Sequence, residues 1–284
     1  MNLRDTIERF LGRTPPARVA VLRLEGAIGM GGARGLSLAR LAGPLEAAFK
    51  AEDCAAVALI LNSPGGSAAQ SALIGSRIRA LADEYKKPVY AYVEDVAASG
   101  GYWLACAADE IVADANSVVG SIGVIAAGFG FAEAIARLGV ERRLYTAGHE
   151  KSLLDPFLPA KQEDIDRLKA LQADIHANFI AWVRNRRGSR LAGDDATLFE
   201  GAFWTGAQAK QLGLIDALGD ARSDLRRRFG DKVRYRRFGA RDGALRRWIG
   251  LAQGGPSFNP EAAAWPQQAL EALETRSLWA RYGL

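Results

Sequence analysis

The stretch "VALILNSPGGSAAQSALIGSRIRALADEYKKPVYAYVE", residues 57–94, carries two strand-like runs on either side of a helix-like one. "VALILN" (57–62) is a continuous apolar run, the composition of a parallel strand buried on both faces. "SPGG" turns the chain into a helix expected over about 67–84, and "KPVYAYVE" (87–94) reads as the next strand. Strand, crossover helix and strand form a βαβ unit, which is how parallel neighbours are connected.

Outward from this unit the alternation continues. "RVAVLRLEG" (18–26) alternates apolar and polar positions and predicts a strand, followed by the glycine-rich "GAIGMGGARG" and the helically spaced "SLARLAGPLEAAFKA". Downstream, "EIVAD" (110–114), "SVVGSIGVI" (117–125) and "ERRLYTAG" (141–148) read as strands and "FAEAIARLG" as a helix. The fold class expected is α/β, with a mostly parallel sheet flanked by helices. From Pro159 to Arg187, Ile165, Leu168, Leu171, Ile175 and Phe179 fall at helical spacing, predicting a long amphipathic helix that serves as an arm or wall. "GAFWTGAQAKQLGLIDALGD" (201–220) predicts a Thr-capped short helix stopped at Gly213 and then a strand. Residues 1–17 are read as a polar lead-in, 18–240 as a single domain, and 241–284 as an extension made of a linker and an amphipathic helix.

The 284 residues are 49% hydrophobic and 24% charged, the balance of a globular protein with a sizeable core. Cys54 and Cys106 both sit in apolar surroundings, which predicts buried free thiols and a reducing compartment. No secretory h-region and no run of about 18 apolar residues stands in the sequence, so the expected location is cytoplasmic. Net charge is +5, but Arg222–Arg247 holds a local +8. That segment could face an anionic membrane or simply pack; no nucleic-acid motif accompanies it, and no nucleic-acid partner is expected.

The residues that bear on chemistry lie in "DVAASGGYWLACAADEIVAD" (95–114). Ser99, between two alanines and two glycines, suits a helix N-cap and equally a nucleophile exposed at a strand-to-helix turn. A nucleophile needs an oxyanion site, and Gly65 and Gly66 in "NSPGG" offer backbone N–H groups at the end of a buried strand. It also needs a base. The chain has two histidines, His149 and His176; His176 falls among core-spaced helical residues, and His149 lies in the loop "TAGHEKSLLDPF" beside Lys151. A lysine base must be neutral, and an unperturbed pKa near ~10.4 leaves under ~0.1% neutral at pH 7, so Lys151 would require an apolar setting. The residues alone leave His and Lys both open.

Taken in order, "ALILNSPGGS", "DVAASGGYWLA", "VVGSIGVI", "TAGHEKSLLDPF" and "FWTGAQAKQLGLIDALG" resemble the signal peptide peptidase A family of Ser-Lys peptidases over about residues 18–220. The resemblance implies a Clp protease/crotonase-like fold without cofactor or metal. It implies that Ser99 is the nucleophile, Lys151 the general base, Gly66 the oxyanion glycine assisted by Gly100, and Ser121 the serine that bonds the lysine. The substrates implied are extended peptides or unfolded proteins, such as cleaved signal peptides. It further implies a homo-oligomeric ring in which serine and lysine come from neighbouring subunits. The chain departs from the common pattern in having one peptidase domain and no N-terminal membrane anchor, and peripheral binding by the basic segment and final helix is one way to replace that anchor. Two other readings compete: a crotonase-type acyl-CoA enzyme, for which Glu94 or Asp95 would have to supply a carboxylate, and a non-enzymatic ring scaffold.

Overall fold

The apolar run at 57–62 lies at the middle of a parallel sheet. A computed structural model of the chain describes residues 15–30, 35–148, 150–239 and 276–283. In chain order the elements are β1 (Arg18–Glu25), α1 (Leu38–Lys50), β2 (Ala56–Ser63), α2 (Ala68–Tyr85), β3 (Val89–Ala98), α3 (Gly100–Ala105), β4 (Glu110–Ala113), β5 (Val118–Gly120), α4 (Ala132–Arg137), α5 (Gln162–Arg187), α6 (Asp195–Leu198), β6 (Phe203–Thr205), α7 (Gly206–Gln211), β7 (Ala217–Leu218), α8 (Ala221–Phe229) and β8 (Arg234–Phe238). The sheet order is β6-β5-β3-β2-β1-β8, with β4 pairing β3 and β7. Every pairing is parallel except β5 with β6. This is the α/β class expected.

β2 is buried along almost its whole length, because layers cover both faces of the sheet. On one face, Leu22, Leu59, Leu61 and Ala91 pack with Leu45 and Phe49 of α1, Ile74 and Ile78 of α2 and Leu104 of α3. On the other, Val19, Ala58 and Tyr92 pack with Leu225 of α8 and Val233. Local chemistry sets the element ends. Ser67 Oγ accepts from Gln70 N at 3.3 Å at the start of α2, and Thr205 with Gln208 forms a capping box at the start of α7. Gly213, at φ +71°, ends that turn, where a Cβ would lie 1.7 Å from Arg190 O. Cys54 and Cys106 are free and buried, as expected.

In α8 and β8, Arg226, Arg227, Arg228 and Arg236 of the basic segment make ion pairs. Arg228 bonds Asp224 and Glu110 at 2.6 and 2.5 Å, Asp224 also accepts from the buried Tyr92 hydroxyl at 2.9 Å, and Arg236 reaches Asp53 at 2.9 Å. This part of the segment has a packing role; its remainder, from 240 to 247, lies outside the described residues, as do most of the lead-in and the linker.

Two strands differ from expectation. "ERRLYTAG" is not a strand: residues 141–148 are exposed and pair with no neighbour, and alternation without a partner strand cannot hold a ladder. "SVVGSIGVI" is a strand only over Val118–Gly120, because Ser121 turns to φ 53° and stops the extension. The long helix is present, but its N-terminal half is little buried: Leu171 is exposed, whereas Phe179, Val183 and Arg187 are buried. Among the described residues no helix is long and apolar enough to cross a membrane.

Candidate active site

A bulge aims the site. The pairing of β2 with β3 shifts register between Leu61 and Ser63, and the Asn62 side chain fills the irregularity. Its Nδ2 donates to Asp95 Oδ2 at 2.7 Å and its Oδ1 accepts from Val96 N at 3.2 Å. Beyond the bulge β3 leaves β4 and pairs with β5 through Val96–Ala98, which carries the strand out to Ser99.

Ser99 has φ 52° and ψ −122°, a conformation that a side-chain-bearing residue adopts at a cost of about 1–3 kcal/mol. The backbone is pinned on both sides: Ser99 N donates to Gly120 O at 2.8 Å, and Ser99 O accepts from Trp103 N at 3.0 Å. Ser99 stands at the N-cap of α3 by position, yet its side chain makes no capping hydrogen bond. The capping role is therefore not served, and the half-buried hydroxyl faces the cleft. The small neighbours have a packing reason. A Cβ on Gly65 would lie 2.7 Å from Ser99 Cβ, one on Gly100 2.3 Å from Ser71 Oγ, and one on Gly101 2.4 Å from Ser63 O.

Gly66 sits opposite. It forms a parallel bridge with Ile28, in which Ile28 N donates to Gly65 O at 2.8 Å and Ser67 N donates to Ile28 O at 2.7 Å. In such a bridge the central residue's own N–H and C=O point the other way, so those of Gly66 are directed to the open side. The amide of Gly65, expected beside it as a donor, is instead engaged with Ser63 Oγ at 3.3 Å; Gly65 contributes space for Ser99. Gly100 opens α3, so its N–H has no acceptor within the helix. Gly66, at φ +141°, also has no room for a side chain, since a Cβ would fall 2.2 Å from Ile28 O. Gly66→Ala is expected to cost about 1–3 kcal/mol of stability and to lower peptide hydrolysis by about 10²-fold, read from denaturant melts and initial rates; unchanged rates would exclude Gly66 from the oxyanion site.

A cleft of about 1110 Å³ is lined by Ser99, Gly66, Gly100 and Ser121 together with apolar walls from Met30, Trp103 and Phe179. Ser121 donates its N–H to Ala202 O at 2.6 Å, which fixes it beside the turn from β5 to the following loop. Lys151 is not among the lining residues. It is exposed on a turn near Gly148, whose carbonyl accepts its N–H at 3.3 Å. His149 lies outside the described residues. His176 does line the cleft, but its Nε2 is 3.1 Å from Ile122 O. A carbonyl can only accept, so that nitrogen carries a proton and offers no lone pair. Cys106 is no rival nucleophile either, since burial pushes its thiol up to about 12.

The walls come from elements distant in sequence. Trp103 stacks on Phe179 of α5 at 4.7 Å, and Trp182 Nε1 donates to Trp103 O at 3.0 Å, fastening the long helix beside the Ser99 turn. Glu200, Phe203, Ser277, Leu278, Arg281 and Tyr282 also reach the cleft, and nothing in their local sequence signals it. Glu94 and Asp95 line a different cavity, on the side of Tyr92 and Asp220.

The model of "Peptidase family S49" matches residues 82–229. A Brucella abortus (strain 2308) protein named "Na(+)/H(+) antiporter NhaA" is 52% identical over 278 residues, which is 96% of this chain and 38% of that protein. "Serine protease SPPA, chloroplastic" of Arabidopsis thaliana is 34% identical over 163 residues, 56% of this chain and 23% of that one. The chain thus spans well under two thirds of either relative. Among solved structures, "1510-N membrane-bound stomatin-specific protease S97A mutant" aligns with 80% of this chain and 100% of its own, at 16% identity and a TM-score of 0.47. The family match takes in the Ser99 turn, Ser121, Lys151 and the α7 capping box, and by it this chain belongs to peptidase family S49.

Proposed function

We propose that the chain is a serine endopeptidase acting on extended peptides or unfolded proteins, with a Ser99–Lys151 dyad completed between two copies. The observation that carries this reading is Ser99 itself: a hydroxyl held at a strained strand-to-helix turn, uncommitted to the helix it precedes, opposite a glycine amide directed into the same cleft.

In the reaction, neutral Lys151 takes the Ser99 Oγ proton as Oγ attacks the scissile carbonyl carbon. The N–H groups of Gly66 and Gly100 hold the oxyanion. Lys151 Nζ then gives its proton to the leaving amine as the C–N bond breaks; once neutral again, Lys151 Nζ takes a proton from the water that attacks the acyl-enzyme and passes it to Ser99 Oγ as the ester C–O bond breaks. Ser121 would orient the lysine. The C=O of Gly66 offers an acceptor to an extended substrate backbone, and Met30, Trp103 and Phe179 favour apolar or small side chains near the scissile bond.

Exposed Lys151 fits this scheme when a neighbour supplies it. The stretch of chain leading to it keeps large apolar side chains in the open: Phe129 is 81% exposed, Leu138 77% and Tyr145 90%. Head-to-tail repetition of such a contact closes a ring. Ser99→Ala and Lys151→Ala chains, each inactive alone, are expected to regain about a quarter of native activity when unfolded together and reassembled one to one, because half the sites take an intact serine and half of those an intact lysine. No recovery in the mixture would place both groups in one subunit, and full activity of Lys151→Ala would end the dyad. The acyl-CoA alternative finds less support, since Glu94 and Asp95 lie in another cavity and Asp95 is bonded to Asn62.

A further inference from the structure

We propose that His176 is a positioning residue of the peptidase site, a strut from α5 that holds the Ser121 turn in fixed relation to Ser99. The proposal rests on the peptidase reading above and adds a residue to the same site.

The Ser121 turn needs holding. Gly120 and Ser121 take φ +114° and +53° in succession, a reversal that a side-chain-bearing residue keeps only when its surroundings impose it. Hydrogen bonds impose it. Ser121 N donates to Ala202 O at 2.6 Å, Gly123 N donates to Ser121 O at 3.0 Å, and His176 Nε2 donates to Ile122 O at 3.1 Å. The first ties the turn to the chain entering β6 and the second is internal to it, so the bond to α5 is the one from His176. Ile122 is fully buried, and no water can take the place of that donor.

The same helix grips the Ser99 turn. Trp182 lies six residues further along α5, about 9 Å, and its Nε1 donates to Trp103 O at 3.0 Å while Phe179 stacks on the Trp103 ring at 4.7 Å. Trp103 N donates to Ser99 O at 3.0 Å, and Ser99 N donates to Gly120 O at 2.8 Å. These contacts close a ring that runs from Ser99 through Trp103, α5 and Ile122 to Gly120 and back. A helix forms one side of the ring, and with both corners bonded Ser121 has little freedom to swing about Gly120.

His176 acts by its place and not as the base. Its Nε2–H donates in the neutral tautomer and in the imidazolium alike, so the strut holds whatever charge the ring carries. In the dyad scheme Ser121 orients the incoming lysine, and a misplacement of about 1 Å at such a group costs about 10²-fold.

The test uses the full chain in native form and as His176→Leu, His176→Gln, Ser121→Ala and the double variant Ser121→Ala with His176→Leu. Leucine fills the site without a donor, whereas glutamine carries an Nε2–H at similar reach. His176→Leu is expected to lower kcat per folded chain by about 10- to 100-fold with KM within about twofold, and His176→Gln to regain most of the loss. In the Ser121→Ala background, His176→Leu should cost less than about twofold, since the group it positions is already gone. A full multiplicative loss in the double variant overturns the proposal, as does a fall in Tm with kcat per folded chain unchanged. A rise in KM alone would make His176 a substrate contact, and a glutamine variant as slow as the leucine one would make the imidazole itself necessary; either result also overturns it. Hydrogen–deuterium exchange over 118–125 reads the turn without turnover: it should quicken in His176→Leu and stay native in His176→Gln, and equal exchange in all three chains overturns the strut. If the native chain neither hydrolyses peptide nor takes a fluorophosphonate at Ser99, the peptidase reading fails, and the exchange comparison still decides whether His176 holds the turn.

Discussion

Ser99→Ala is expected to lower peptide hydrolysis by about 10⁴-fold or more and to abolish fluorophosphonate labelling, while the folded chain remains. The effect is large because the proposed mechanism makes this hydroxyl the attacking group, and selective because the hydroxyl makes no other contact among the described residues. It caps no helix, and the backbone bonds to Gly120 and from Trp103 persist in alanine. Alanine still has a Cβ at φ 52°, so the strain stays and stability should hardly move. Ser99→Gly separates the two quantities: it is equally inactive, but relief of the positive-φ conformation should raise stability by roughly 1 kcal/mol. Kinetics and denaturant melts of both variants check this pair of outcomes. Retained turnover in Ser99→Ala would refute the assignment, and a glycine variant no more stable than the alanine one would mean that the turn carries no strain.

That strained turn also shows how far a sequence can be read. The βαβ rhythm was legible because β2 is apolar at nearly every position and its neighbours are bounded by "SPGG" and "KP", signals that depend only on local chemistry. "AASGG" told that something approaches closely there, and the packing of Gly65, Gly100 and Gly101 against Ser99, Ser71 and Ser63 is that approach. Whether the hydroxyl capped the helix was not legible, because φ at Ser99 is set by bonds to Gly120 and Trp103, the first of them to a residue about twenty positions away. "ERRLYTAG" misled for the reverse reason: its alternation is real, but a strand exists only if another edge receives it, and this stretch stands exposed. The contributions of Gly65 and Gly66 differ because a parallel bridge to Ile28 assigns opposite directions to successive peptide groups, a matter of register that residue type does not encode. The placement of Tyr282 beside Ser121, 161 residues apart, is long-range in the same sense.

Asp216→Asn is expected to destabilise the chain by about 3–5 kcal/mol, a fall in Tm of roughly 10 °C, because it strands a buried cation. The Arg187 side chain is 1% exposed at the end of α5. Two of its nitrogens donate to Gly213 O at 3.0 and 2.8 Å, and its Nη1 and Nη2 donate to the two Asp216 oxygens at 2.8 and 3.0 Å. Asp216 Oδ2 also accepts from Ile111 N at 2.7 Å, tying β4 to the pair. Asparagine keeps an acceptor for Ile111 but turns an amide toward the guanidinium and removes its counter-charge. Replacing both partners, Arg187→Met with Asp216→Leu, is expected to cost much less than the single change, since no unpaired charge remains. The pH dependence has a definite sign. Burial would raise the Asp216 carboxyl, but hydrogen bonds from Arg187 and the Ile111 amide, with the Arg187 charge, outweigh it and hold the group below its ordinary value. A carboxylate lowered in the folded state contributes stability that is fully present above its unfolded pKa near ~3.9 and is lost as pH falls through the folded value. The gap between native and Asp216→Asn should therefore be constant around neutrality and shrink in acid; a gap that widened below pH 4 would contradict the pairing. Because Ile175 and Phe179 of the same helix wall the cleft, loss of the anchor reaches catalysis through the fraction folded. Turnover per folded chain, measured well below the lowered Tm, should stay near native, which sets this variant apart from Ser99→Ala.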